Sequence, residues 1–268
     1  MRTPPYYVGT DTNNAMPFPT GGAAEHFYIG RLGGELTASS VGFDAEAARA
    51  LPAAQVYGYW DLGGPSHPGR PANQTAGAWG AAQAAAAVEV LHETPSVGGK
   101  TLFLDTEAGN GGWATDIGLN RLVMAGALHQ LDQAVGVVPG VYISPRFWSQ
   151  SFGTTGWIPG IAFVLYVAGT SCPSDAARAM AGWETLPAIG GMRPMIWQFH
   201  VAECVGAAQD WDVTPYNGFI RGAWQPTPVM VPVSQADMVR LRAQISVVAA
   251  DLQQVAKTLA AIEQDAKN

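Results

Sequence analysis

Charge is scarce in this chain of 268 residues: 13% of it is Asp, Glu, Lys or Arg, with 14 basic residues against 21 acidic ones. The formal net charge of −7 argues against nucleic acid as a partner, because gripping a phosphate backbone takes a basic stripe. Cysteine is nearly absent. Cys172 and Cys204 are too few and too far apart for a structural zinc site. The histidines, His26, His67, His92, His129 and His200, show no paired ligand spacing, so neither a metal nor another cofactor is expected. No apolar run reaches the length of a membrane span; even AAQAAAAVEVL carries Gln83 and Glu89. The opening MRTPPYYVGTDTNN lacks the apolar core of a secretory signal. A soluble protein with no signal peptide and no membrane contact is expected. VGGKT at 97–101 is half a phosphate loop, but Thr94 stands where its first glycine belongs, and a strand-like run follows instead of a helix. Nucleotide binding is excluded on both counts.

What remains is 48% hydrophobic, enough for a large core, and a single α/β barrel commonly fills about 250 residues. Short β-rich runs alternate with helical stretches. The runs are YYVGTD (6–11), FYIGRL (27–32), QVYGYWD (55–61), TLFLDTE (101–107), GVYIS (140–144), AFVLYVA (162–168), PMIWQF (194–199) and WDV (211–213). Helical patterns fall at 44–50, 73–93, 116–135 and 175–184, opening on the capping residues Asp44, Asn73, Asp116 and Asp175. Strands alternating with helices in this way predict an α/β fold, an irregular (β/α)8 TIM-type barrel built from parallel βα units over residues 1–225.

Such barrels carry their reactive residues at the carboxyl ends of strands. Asp11 ends the first run, Asp61 the third, and Asp105 with Glu107 the fourth; Gln198 lies near the end of the seventh and Asp212 in the eighth. In a chain with few acids, that convergence points to a glycosidase-like carboxylate cluster. Asp105 and Glu107 are two positions apart, so on a strand they share one face, with Cα atoms about 6–7 Å apart. Acids that close raise at least one pKa, which keeps a carboxyl protonated near neutral pH. Taken alone, the pair reads more readily as acids that cap a loop or meet solvent.

Over about residues 6–222 the motifs resemble the family-25 glycoside hydrolases, muramidases that cut bacterial peptidoglycan. The likeness rests on VGTD (Asp11), YIGRLGG, YGYWD, FLDTE, GVYISPRFW, MIWQF and WDVT, in that order. The glycoside hydrolase-like domains of actinobacterial proteins and phages share the barrel. TNNAMPFP after Asp11, FVLYVAG in the sixth strand and Thr214 in place of the usual Asn depart from the pattern. The resemblance implies Glu107 as general acid, and Asp105 as the group that stabilises the oxocarbenium charge or positions the acetamido group. It implies that Asp11 and Asp212 hold the sugar and tune Glu107. Tyr59, Tyr142 and Trp197 are sugar platforms on that reading or ordinary barrel filling, and Asp61 and Gln198 complete the substrate-binding set.

The composition changes at WQPTPVMVPVS, where Pro226, Pro228 and Pro232 make a stiff linker over 226–234. In 235–268 apolar residues fall at Met238, Leu241, Ile245, Val248, Leu252, Val255, Leu259 and Ile262, in alternating steps of three and four. That heptad seam predicts a C-terminal α-helical coiled coil, with core types favouring a trimer or tetramer over a dimer. A helix docked on its own barrel is the alternative. Cys172 and Cys204 each follow the end of a neighbouring strand, which allows a disulfide as readily as two free thiols. Two functions stand. One is a hydrolase of bacterial cell-wall glycan, mounted as a trimer on an assembly such as a phage tail, beside other tail proteins at the bacterial surface. The other is a catalytically inactive glycan-binding or structural tail module on the same barrel.

Overall fold

Alternation along each strand decides which side chains fill the barrel and which meet the helices. The computed structural model describes residues 6–12, 26–38, 43, 55–98, 100–153, 157, 159–169, 176–189, 191–200 and 210–216. All belong to the first of two units into which the chain divides, Met1–Pro228 and Val229–Asn268. Cys172, Cys204, the expected helix at 44–50 beyond Phe43, the linker and the heptad seam lie outside the described residues.

The strands are β1 (Tyr7–Thr12), β2 (Phe27–Gly34), β3 (Thr37–Ala38), β4 (Gln55–Asp61) and β5 (Thr101–Asp105), then β6 (Val138–Ile143), β7 (Val164–Val167), β8 (Ile196–His200) and β9 (Asp210–Thr214). All but β3 close one barrel, in which β9 returns to pair with β1; β3 is a short antiparallel partner at the end of β2. Pairing is parallel from β1 through β8. The last strand corrects the expected all-parallel barrel, because β9 is antiparallel to both neighbours. Only residues 201–209 join β8 to β9, whereas a parallel crossover needs a dozen or more residues. The chain turns back instead.

Inside, Phe27, Ile29, Tyr57, Phe103, Tyr166 and Ile196 form one buried cluster. Gly9 makes room for it: a Cβ there would sit 2.4 Å from the Phe27 ring. The barrel is therefore a packed core with a mouth, not a pore. Outside, Val56, Trp60, Leu102, Leu104, Val141, Leu165 and Val213 pack with the helices in a second cluster.

Among the described residues the α-helices with defined ends are α1 (Ala76–Glu93), α2 (Ile117–Gln133), α3 (Pro145–Phe152) and α4 (Ala176–Gly182). Asp116 caps α2 as expected, accepting from Gly118 N at 2.8 Å. Helix α1 starts later than expected, because Thr75 rather than Asn73 takes the cap, accepting from Ala78 N at 3.2 Å. Gly80 lets α1 lie against α2, since a Cβ there would fall 2.0 Å from Val123 O.

Candidate active site

Three strands deliver acids to the mouth by their carboxyl ends. Asp11 closes toward the mouth on β1, and Asp61 and Asp105 are paired in register at the ends of β4 and β5. Beyond Asp105 the chain stays extended: Thr106 N donates to Tyr142 O at 3.0 Å, and Glu107 has φ −131° and ψ 163°. Thr106 is fully buried, so alternation returns Glu107 to the side of Asp105. Asn110 Nδ2 donates to Asp105 O at 2.6 Å and Leu62 N to the same oxygen at 2.8 Å, which holds the turn. The loops after β4 and β5 brace each other through Gly64 N to Gly111 O, 2.9 Å, and Ser66 N to Gly112 O, 2.7 Å.

The fifth carboxylate position comes from the reversed strand. Because β9 runs the other way, its first residue, Asp210, lies opposite Asp11, and Asp212 lies one layer deeper, opposite Gly9 and Gln198. Asp210 escaped the sequence reading, which treated the last strand as parallel. Asp212 is fully buried and accepts from the Tyr166 hydroxyl. It supports the site from below and offers no surface for a sugar.

Gln198 ties the two edges of this acid group together. Its Nε2 donates to both Asp11 oxygens, at 3.2 and 3.1 Å, and to Asp210 Oδ2 at 3.3 Å. Its Oε1 accepts from Tyr142 Oη at 2.9 Å. Gln198 is 1% exposed, so it acts as a clamp on carboxylates rather than as a direct sugar ligand. Asp61 is also engaged, in an ion pair with Arg31 of β2.

Tyr59 and Tyr142 are half-buried at the rim of the inner cluster, each within reach of the mouth acids. Trp197 is the correction. It is 3% exposed and packs in the outer layer with Ala179, Trp183 and Val213. A strand that turns Gln198 inward must turn Trp197 outward, so it is no sugar platform.

Crowding in this low-dielectric mouth shifts protonation upward. Burial raises the Asp11 carboxyl to about 8, helped by the Asp210 and Glu107 charges and opposed by hydrogen bonds from Gln198 and Tyr166. Asp105 is pushed well above the usual carboxylate range by burial, then by Glu107, Asp61 and Asp11. Asp61 is raised by burial despite the Arg31 guanidinium. The arrangement therefore holds one carboxylic acid, Asp11, that keeps its proton near neutral pH, among neighbours whose carboxyls burial and like charge also push upward. A carboxyl protonated near neutral pH is what acid-assisted bond cleavage requires. Among the described residues no group of three or more His, Cys, Asp or Glu side chains is placed to hold a metal, and no helix is long and apolar enough to cross a membrane.

No protein-family model matches the sequence, and no curated protein sequence matches it. Solved structures match the fold. The Clostridium perfringens spore cortex lytic enzyme SleM superposes with a TM-score of 0.57 at 17% identity, over 80% of this chain and 69% of that one. A family GH25 lysozyme from Aspergillus fumigatus gives 0.53 at 16% identity, over 82% of this chain and 99% of that one. The bacterial lysozyme from Streptomyces coelicolor gives 0.51 at 15% identity, over 81% and 96%. The chain shares the barrel of these enzymes.

Proposed function

We propose that the barrel is a glycoside hydrolase acting on the glycan of bacterial peptidoglycan, with Glu107 as the general acid. One observation carries the reading: Asp11, Asp105, Glu107 and Asp210 converge on one open mouth, on a fold shared with lysozymes and a cortex-lytic enzyme. In the proposed reaction the C–O bond to the leaving sugar breaks and its electron pair stays on oxygen. Glu107 gives that oxygen its proton. Positive charge grows at the anomeric carbon, and water then adds there, returning a proton to the site. Asp105 has a buried carboxyl oxygen, Oδ1, without a hydrogen-bond partner. Burial and the neighbouring acids favour its protonated form, which suits hydrogen bonding to an acetamido carbonyl. Asp11, Asp210 and Gln198 set the field around them, and Tyr59 and Tyr142 provide aromatic edges for the sugar.

The burial of Asp212 beneath Tyr166 favours a second reading, a glycan-binding module with its catalysis lost. Zymography on bacterial cell walls separates the two. Glu107→Gln should abolish lysis, a loss of about 10²–10⁴-fold for a general acid, with little change in melting temperature. Lysis by the mutant equal to wild type refutes the catalytic assignment, and a wild type without lysis favours the binding module. The heptad seam over 235–268 further supports a trimeric stalk that mounts the barrel on a larger assembly such as a phage tail.

A further inference from the structure

A pocket of about 370 Å³ opens beside Glu107, between the turn after β5 and the first turn of α3, with Ser144, Arg146, Phe147 and Gln150 on its far side. We infer that this pocket binds a carboxylate-bearing branch of the glycan, with Arg146 as the residue that recognises it. The inference takes its substrate class from the hydrolase reading.

Three observations lead there. The first is that Arg146 is an unspent cation. Arg31 pairs with Asp61, Arg193 with Glu184, Arg70 donates to Gln74 O, and Arg121 donates to Phe152 O and lies over the Trp157 ring. Arg146 is exposed and, among the described residues, has neither an acidic partner nor a hydrogen-bond acceptor.

The second is its position. Arg146 is the second residue of α3, where the positive end of the helix dipole disfavours a cation. Helix stability gives no reason for it to be there. Ser144 already caps the helix, accepting from Phe147 N at 3.1 Å.

The third is electrostatic. Among the acids that build the mouth, Asp11, Asp61, Asp105, Glu107 and Asp210, each one that ionises repels an anionic ligand at close range. A substrate carrying a carboxylate needs a compensating cation near Glu107, whereas a neutral sugar does not. The planar guanidinium can meet a carboxylate through two parallel hydrogen bonds. Phe147, half-buried with its ring 5.8 Å from that of Trp113, supplies an apolar wall for the sugar or the carbon chain that carries the acid. Gln150, exposed one turn on, adds an amide for a neighbouring carbonyl.

The carboxylate has two sources in cell-wall glycan, the lactyl ether of the acidic sugar or the peptide attached to it. Titration calorimetry on the full chain separates them with three product-sized ligands. These are a cell-wall disaccharide with a free lactyl carboxylate, the same disaccharide carrying a short peptide on that group, and the neutral dimer of N-acetylglucosamine. Wild type should bind at least one carboxylate ligand roughly tenfold more tightly than the neutral dimer, the size of a charge-assisted contact. Arg146→Ala should bring that ratio toward one, and Arg146→Lys should keep part of it. Thermal melts of both variants control for folding. Equal affinity for all three ligands, a ratio that survives Arg146→Ala, or no binding at millimolar ligand overturns the assignment. Lysis of cell walls is scored separately. An Arg146-dependent ratio without lysis refutes the hydrolase reading alone, and lysis without the ratio refutes the pocket alone.

Discussion

Asp11→Asn should make the barrel more stable at pH 8 while removing a group the proposed chemistry uses. In the folded chain the Asp11 carboxyl titrates at about 8, against 3.8 for the unperturbed group, mainly because it is buried and faces Asp210. The sign follows from proton counting. Below about pH 4 the carboxyl is protonated whether the chain is folded or not, and Asp11 costs nothing extra. Between that pH and 8 the unfolded chain has lost the proton and the folded one keeps it. The folded state then binds more protons, and stability must fall as pH rises. Each tenfold change in proton affinity is worth about 1.4 kcal/mol, so the rise from 3.8 to about 8 caps the effect at roughly 6 kcal/mol. Asp210 lies opposite and shares the penalty, so a gain of about 2–3 kcal/mol for the amide at pH 8 is expected. Asn keeps an oxygen to accept from Gln198 Nε2, which now meets both Asp11 oxygens at 3.1–3.2 Å. Urea melts followed by tryptophan fluorescence, run from pH 4.5 to 8.5, measure the difference directly. Wild type should weaken across that range and Asp11→Asn should weaken much less, so the two curves part as pH rises. Curves that stay parallel, or a variant that is the weaker of the two at pH 8, refute the argument.

Gln198→Leu strips Asp11, Asp210 and Tyr142 of a shared partner; with charged hydrogen bonds worth about 1.5–3 kcal/mol each, a loss of roughly 2–4 kcal/mol in urea melts is expected, and an unmoved midpoint argues against the clamp. Light scattering should give a trimer for the full chain and a monomer after truncation at Pro226 or after Ile245→Asp with Leu252→Asp; a monomeric wild type at micromolar concentration returns the tail to a helix without a coiled-coil partner.

Much of the barrel was legible because alternation is local. QVYGYWD spans 55–61, and β4 occupies those same residues, with Val56 and Trp60 outside and Tyr57 and Tyr59 inside. The same parity carries Asp61 and Asp105 inward at neighbouring strand ends. Parity also held a warning that the sequence reading passed over. Trp197 and Gln198 are adjacent, so one strand could not point both into the mouth. Two details failed for reasons of geometry beyond one strand. Asp210 stands two residues before Asp212, the same spacing that drew attention to Asp105 and Glu107. Which of the two acids reaches the mouth depends on the direction of β9, set by the short join at 201–209. The Arg31–Asp61 pair needs β2 and β4 side by side, and no local pattern predicts a partner from another strand.

The reversed strand also explains why so many acids can share one small mouth. A parallel β9 would present its carboxyl end there, bringing Val213 and Thr214 toward the rim and sending its acids toward the barrel floor. Reversed, it sets Asp210 against Asp11 at the rim and Asp212 one step below, level with Gln198. Polarity therefore falls with depth. Half-exposed carboxyls lie at the top, the hydroxyl and amide of Tyr166 and Gln198 beneath them, and Phe27, Ile29 and Phe103 below. The middle layer supplies the donors that partly offset burial of the acids above, since both Gln198 and Tyr166 lower the Asp11 pKa that burial and charge raise. Without it, Asp11 would hold its proton more tightly still, further from the operating pH at which a carboxyl exchanges protons most readily.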